Sequence, residues 1–81
     1  MSHLSIVGIL IDKRTKSAPK VQEVLTKYGD SILARFGTHD PGEKEQGLIT
    51  LNFRDKAERL QALEQELEHL DGVIVRSITI Q

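Results

Sequence analysis

The residues able to do chemistry are few and scattered. The histidines are His3, His39 and His69. A metal site needs several converging ligands, and the chain has no His-x-His or HExxH spacing and no cysteine. His3 falls at the N-terminus, His39 in a loop and His69 at a helix end, which suits exposed or capping histidines. A metal would have to be shared between subunits, with His39 and Asp40 as the best ligands. The absence of cysteine also excludes disulfides, iron–sulfur ligation and a thiol nucleophile. Glu58, Glu64, Glu66 and Glu68 form an acidic run in which 64 and 68 lie one turn apart and 66 points elsewhere, so it reads as a solvated face. Lys13, Arg14, Lys16 and Lys20 stand where a strand gives way to a helix. Helix N-termini attract anions, so this cluster is either a solubilising loop or an anion site that includes Arg14. Arg35 lies mid-strand, between Ala34 and Phe36 and just before Gly37. Its planar fork suits carboxylates and phosphates, as a partner in a subunit contact or as a ligand clamp. No acid–base or nucleophile–base pair can be placed together, so no enzyme is expected.

Composition narrows the field further. The chain has 81 residues, with 11 Lys plus Arg against 12 Asp plus Glu and a net charge of −1. That balance speaks against a dedicated nucleic-acid binder, which carries a basic excess on one face. The longest apolar runs, Ile9–Ile11 and Val73–Val75, fall far short of the roughly 20 residues that span a bilayer. The N-terminus Met1-Ser2-His3-Leu4-Ser5 carries no basic region and no cleavage-type site, so a cytoplasmic protein without membrane contact is expected.

Six elements must position these residues. Leu4 to Ile11 is a β-branched run read as the first strand. It is apolar on both parities (Leu4, Ile6, Leu10 and Val7, Ile9, Ile11), which predicts a central strand whose second face is covered by another subunit. Ser17 to Tyr28 carries Ala18, Val21, Val24, Leu25 and Tyr28 at helical spacing, with Ser17 as N-cap and Gly29 as a terminating glycine. Ile32 to Thr38 is the second strand, His39 to Gly47 a loop, and Leu48 to Arg54 the third strand, with Ile49, Leu51 and Phe53 on one face. Asp55 to Leu70 is a helix with the stripe Leu60, Leu63, Leu67 and Leu70, and Asp55 with Glu58 reads as a capping box. Gly72 stops it, and Val73 to Ile80 is the last strand. Gly8, inside a central strand, predicts close approach by another backbone or side chain.

The order β-α-β-β-α-β predicts an α+β, ferredoxin-like sandwich: a four-stranded antiparallel sheet with both helices on one face, as one domain over residues 1–81. Fold does not decide function, so each use of this architecture is tested at its site. The loop after the first strand, Asp12 to Ser17, has neither the cysteines of a metallochaperone nor the glycines of an acylphosphatase. Of the central strands only the third carries an aromatic, Phe53, too little for RNA recognition by stacking.

The segment Ile32-Leu33-Ala34-Arg35-Phe36-Gly37, after a Tyr-Gly-Asp helix end, resembles the second strand of a small family of stand-alone regulators of the iron-only hydrogenase system. The resemblance extends to Ile9-Leu10-Ile11-Asp12-Lys13-Arg14, to Gly47-Leu48-Ile49 and to Leu70-Asp71-Gly72-Val73, and so covers nearly the whole chain. That family looks like ACT domains and like the C-terminal domain of nickel-responsive repressors. The resemblance implies an obligate homo-oligomer, a dimer or higher, that senses a small molecule or metal or touches a protein partner. The loop after the first strand lacks the glycine usual in amino-acid-binding ACT domains, and the nickel ligands are represented only by His39. With the first strand starting near residue 4, no DNA-reading unit is expected ahead of it, and transcriptional regulation would act through another protein. Any ligand is expected at the interface near Arg35, Gly37 and residues 38–47, with Arg14 as a further contact. The competing reading is a metal- or anion-binding module with a site shared between subunits near His39. The cofactor is left open.

Overall fold

The computed structural model of the chain describes residues 1–12, 15–40 and 46–81, with His39 and Asp40 described by their backbone alone. Strands β1 (His3–Asp12), β2 (Ile32–Asp40), β3 (Gln46–Asp55) and β4 (Val73–Thr79) form one antiparallel sheet in the order β2-β3-β1-β4. Helices α1 (Ala18–Lys27) and α2 (Ala57–Glu68) complete the expected ferredoxin-like arrangement, with β1 and β3 central.

The period-two alternation of the strands explains the layering. On β1 the buried side chains are Ser5, Val7, Ile9 and Ile11; on β3 they are Ile49, Leu51 and Phe53; on β4 they are Val73 and Val75. These meet Val21, Leu25 and Tyr28 of the first helical segment and Leu63 and Leu67 of α2 in a single apolar cluster. Both helices therefore cover the same sheet face. Of the expected leucine stripe, Leu63 and Leu67 on α2 are fully buried, while Leu60 and, just past the end of α2, Leu70 pack against the core.

Several local expectations are corrected. The two hairpin strands run longer, with His39 and Asp40 in β2 and Gln46 and Gly47 in β3, so the loop expected over 39–47 is shorter, and its residues 41–45 lie outside the described residues; β4 ends one residue earlier than expected, at Thr79. Ser17 holds the N-cap position of α1, but its hydroxyl donates to the Asp71 carbonyl oxygen at 2.6 Å instead of capping its own helix. Gly29 does not end α1 in a left-handed turn. It opens a 3-10 turn, Gly29–Ser31, and among the described glycines the only positive φ is that of Gly72, at 72°. Lys56, not Asp55, is the N-cap of α2, and no side chain caps it. Asp55 ends β3 instead, where its carboxylate accepts hydrogen bonds from Ser31, from the Lys56 N–H at 2.7 Å and from Arg59 at 3.2 Å.

Gly72 is needed where it stands. A Cβ there would lie 2.6 Å from Thr15 Cγ2, and the left-handed backbone disfavours any other residue. Gly8 is different: a Cβ would sit 3.8 Å from the Arg76 carbonyl oxygen, in ordinary contact, so no group of this chain demands a glycine there.

β2 holds one irregularity that matters for function. Its register against β3 shifts between Ile32 and Ala34, leaving Leu33 as an extra residue. Simple alternation from Ile32 would put Ala34 and Phe36 toward the helices. The bulge reverses this: Arg35 pairs with Leu51 on the helix side and Phe36 with Thr50 on the opposite side.

Candidate functional site

The sheet face away from the helices is built from the second parity of each strand. In register, its rows are Thr38, Leu48, Leu10 and Ile74; then Phe36, Thr50, Gly8 and Arg76; then Ala34, Asn52, Ile6 and Ile78. Ile80 continues β4 past Leu4, to whose carbonyl oxygen its N–H donates at 2.7 Å. Single exposed apolar residues are ordinary, but Ile6, Phe36, Leu48, Ile74, Ile78 and Ile80 are all exposed on this one surface, Phe36 to 67%. Two arginines interrupt it. Arg76 donates to its neighbouring Val75 carbonyl oxygen, and the Arg54 side chain makes no hydrogen bond or ion pair among the described residues. Gly8 sits at the centre and leaves a shallow notch.

Of the expected ligand residues, the structure describes Arg35 and Gly37 in full. Arg35 is exposed on the edge strand, on the helix side, where its guanidinium donates to Gln22 Oε1 of α1 at 2.7 Å. Within the chain its partner is thus a neutral amide. Gly37 lies two residues on, with no atom within 4 Å of a Cβ position. A hollow that includes Arg35 measures about 120 Å³ and is lined by Ala34, Arg35, Phe36, Thr50 and Asn52. Small-molecule clefts run to roughly 300–1,000 Å³, so this one is too small. The backbone of His39 pairs with Gly47, but its side chain and all of Arg14 lie outside the described residues. Among the described residues no group of three His, Asp or Glu is placed to hold a metal ion.

The acidic run on α2 is not simply solvated. Glu66 accepts hydrogen bonds from Lys27 and from the buried Tyr28, joining the two helices. The Lys27 and Tyr28 hydrogen bonds hold the Glu66 carboxyl below the usual carboxylate range. Burial, then the Glu66 hydrogen bond, raises the Tyr28 hydroxyl above its usual value. Asp55 is likewise lowered, first by the Ser31 hydrogen bond and then by the Lys56 N–H.

A cleft of about 340 Å³ opens where the ends of β1, β3 and β4 meet α2. Here the helix-facing side of the sheet turns from Val7, Leu51 and Val75 to His3, Ser5, Asp55, Ser77 and Thr79. Ala57, Leu60, Gln61 and Glu64, one face of α2, form the other wall. Sequence reasoning placed His3 at a chain end and missed this group. The only signal was the loss of aliphatic residues at one parity of β4 after Val75. Two more clefts, about 520 and 570 Å³, flank the Asp71–Gly72 turn.

Sheet order and helix placement define an ACT-like domain. The ACT domain from GTP pyrophosphokinase of Chlorobium tepidum superimposes with a TM-score of 0.76 at 16% identity, covering 96% of this chain and 100% of that one. The C-terminal domain of the MgtC protein from Mycobacterium tuberculosis gives 0.69 at 15% identity, over 96% of this chain and 87% of that one. The chain belongs to the TM1266-like family, described as "Iron-only hydrogenase system regulator, putative", whose profile matches residues 3–77. The uncharacterized protein TM1266 from Thermotoga maritima has a TM-score of 0.91 and 25% identity, over 100% of both chains. Among curated proteins none matches this chain. Among the described residues no helix is long and apolar enough to cross a membrane.

Proposed function

We propose that residues 1–81 form one regulatory domain of the iron-only hydrogenase system, without catalytic activity, that works as a homo-oligomer and senses a small molecule. It acts in the cytoplasm, and any effect on transcription passes through a protein partner, since its charge balance does not favour direct contact with DNA.

The observation that carries the assembly is the open sheet face. Phe36 is turned outward by the Leu33 bulge into a surface already holding Ile6, Leu48, Ile74 and Ile78. Burying apolar surface is worth about 25 cal/mol per Å², so a second copy seated on this face would stabilise a chain too small for a large core of its own.

Light scattering on the eluting protein tests the reading. A dimer or larger species at tens of micromolar is expected, with Phe36→Glu/Ile78→Lys shifting it to monomer while circular dichroism stays unchanged. A monomeric parent protein overturns the proposal.

A further inference from the structure

The cleft between the strand ends and α2 brings together several side chains with unused hydrogen-bonding capacity. Ser5 is 1% exposed, and buried hydroxyls are costly unless bonded. Its Oγ meets only Thr79 Oγ1, at a long 3.3 Å. On the opposite wall Glu64 is half-buried, and its Oε2 accepts a hydrogen bond from Ser77 at 3.1 Å. No cation pairs with Glu64 among the described residues. The other carboxylate, Asp55, is already engaged by Ser31, the Lys56 N–H and Arg59. Gln61 and His3 line the same space, and neither side chain makes a hydrogen bond among the described residues. The cleft thus holds one carboxylate with spare acceptor capacity, an amide, an imidazole and two loosely paired hydroxyls.

We propose that this cleft binds a small hydroxylated primary amine, its ammonium on Glu64 and its hydroxyls among Ser5, Thr79 and Gln61. An ammonium brings donors and a positive charge to the one uncompensated acid, and charge-assisted hydrogen bonds are about twice as strong as neutral ones. A metal ion does not fit, because no three His, Asp or Glu among the described residues are placed to ligate one. At about 340 Å³ the cleft is at the lower end of the small-ligand range, which limits the occupant to the size of an amino sugar or amino alcohol. The inference deepens the sensing role proposed above and rests on it, but it concerns the helix side of the sheet, not the assembly face.

Titration of the ¹⁵N-labelled full chain with glucosamine, monitored by amide chemical shifts, tests it, with glycerol and acetate as neutral and anionic controls. Glucosamine should give saturable shifts at Ser5, Gln61, Ser77 and Thr79. Glu64→Gln, which keeps side-chain shape, should weaken binding about tenfold or more, and Ser77→Ala should weaken it less. The proposal is overturned by the absence of saturable shifts up to about 10 mM. Equal response to glycerol, or an undiminished response in Glu64→Gln, overturns it too. Light scattering on the same samples separates the two readings: an assembled protein that ignores glucosamine refutes the cleft alone, and a monomer that binds it refutes the assembly alone.

Discussion

The Tyr28 hydroxyl donates a hydrogen bond to Glu66, across 38 residues of sequence, and so ties the end of α1 to the last turn of α2. The ring beneath that hydroxyl is buried, tilted against Phe53 with centroids 6.5 Å apart, and Arg59 lies 4.4 Å over its centroid. One tyrosine therefore joins the core, the helix pair and the charged surface.

Removing the hydroxyl isolates its contribution. Tyr28→Phe keeps the ring contacts and loses one hydrogen bond to a charged acceptor, so it should cost about 1–2 kcal/mol in urea unfolding. A loss too small to measure would show that solvent replaces the bond without penalty.

The same network sets an acid dependence. Glu66 and Asp55 both have lowered pKa values in the folded chain. A lowered carboxyl stabilises the fold fully above its unfolded value, near about 4, and that contribution disappears as pH falls through the lower folded value. The urea midpoint should therefore fall between about pH 6 and pH 3, and Glu66→Gln should start lower and decline less steeply. Tyr28 acts in the opposite range. Its raised value gives stability that is present below about pH 10 and lost as pH rises beyond it. A flat acid profile in the parent protein would contradict the lowered carboxyls.

Gly72 offers a test of backbone geometry. Gly72→Ala combines a left-handed residue with a Cβ 2.6 Å from Thr15 Cγ2 and 3.1 Å from Asp12 Cβ. A loss of about 2 kcal/mol or more is expected by urea unfolding. Thr15→Ser, which removes that methyl group, should recover only part of it, because the left-handed backbone remains strained. A neutral Gly72→Ala would mean that the turn rearranges freely.

How much of this was legible in the sequence depends on the range of the forces involved. Element order was readable because the breaks are local: Gly29 and Gly72 interrupt the chain wherever it sits. The inward set Ile49, Leu51 and Phe53 was readable because β3 alternates regularly. The bulge at Leu33 was not, since an extra residue shows only against the β3 ladder, and it reverses the face of Phe36. Ser17 satisfies every local rule for an N-cap, yet its hydroxyl prefers a carbonyl 54 residues away. The cleft escaped notice because Ser5 and Thr79 lie 74 residues apart and meet only through strand register. Glu64 and Glu66 looked like surface because their partners, Ser77 and Tyr28, come from other elements.

Arg35 tests whether an arginine in a strand is structural. It is exposed, and its one hydrogen bond goes to Gln22, also exposed. Arg35→Ala should shift stability by no more than about 0.5 kcal/mol, as for other surface substitutions. If light scattering then shows weakened assembly at unchanged stability, Arg35 belongs to the subunit contact, despite lying on the helix side of β2.

Gly8 separates folding from assembly most cleanly. Within one chain its Cβ position is open, with the Arg76 carbonyl oxygen the nearest atom at 3.8 Å. Glycine inside a strand costs about 0.5–1 kcal/mol relative to alanine, so Gly8→Ala should raise monomer stability slightly. On the open face, however, Gly8 lies between Thr50 and Arg76, at the centre of the surface proposed to meet a second copy. A methyl group there would hold the two sheets apart, and larger residues would do so more. Gly8→Ala is therefore expected to unfold at a higher urea concentration yet dissociate at a higher protein concentration than the parent, and Gly8→Leu should be monomeric. If Gly8→Leu assembles as tightly as the parent, the subunits meet elsewhere, and the notch is an accident of the strand.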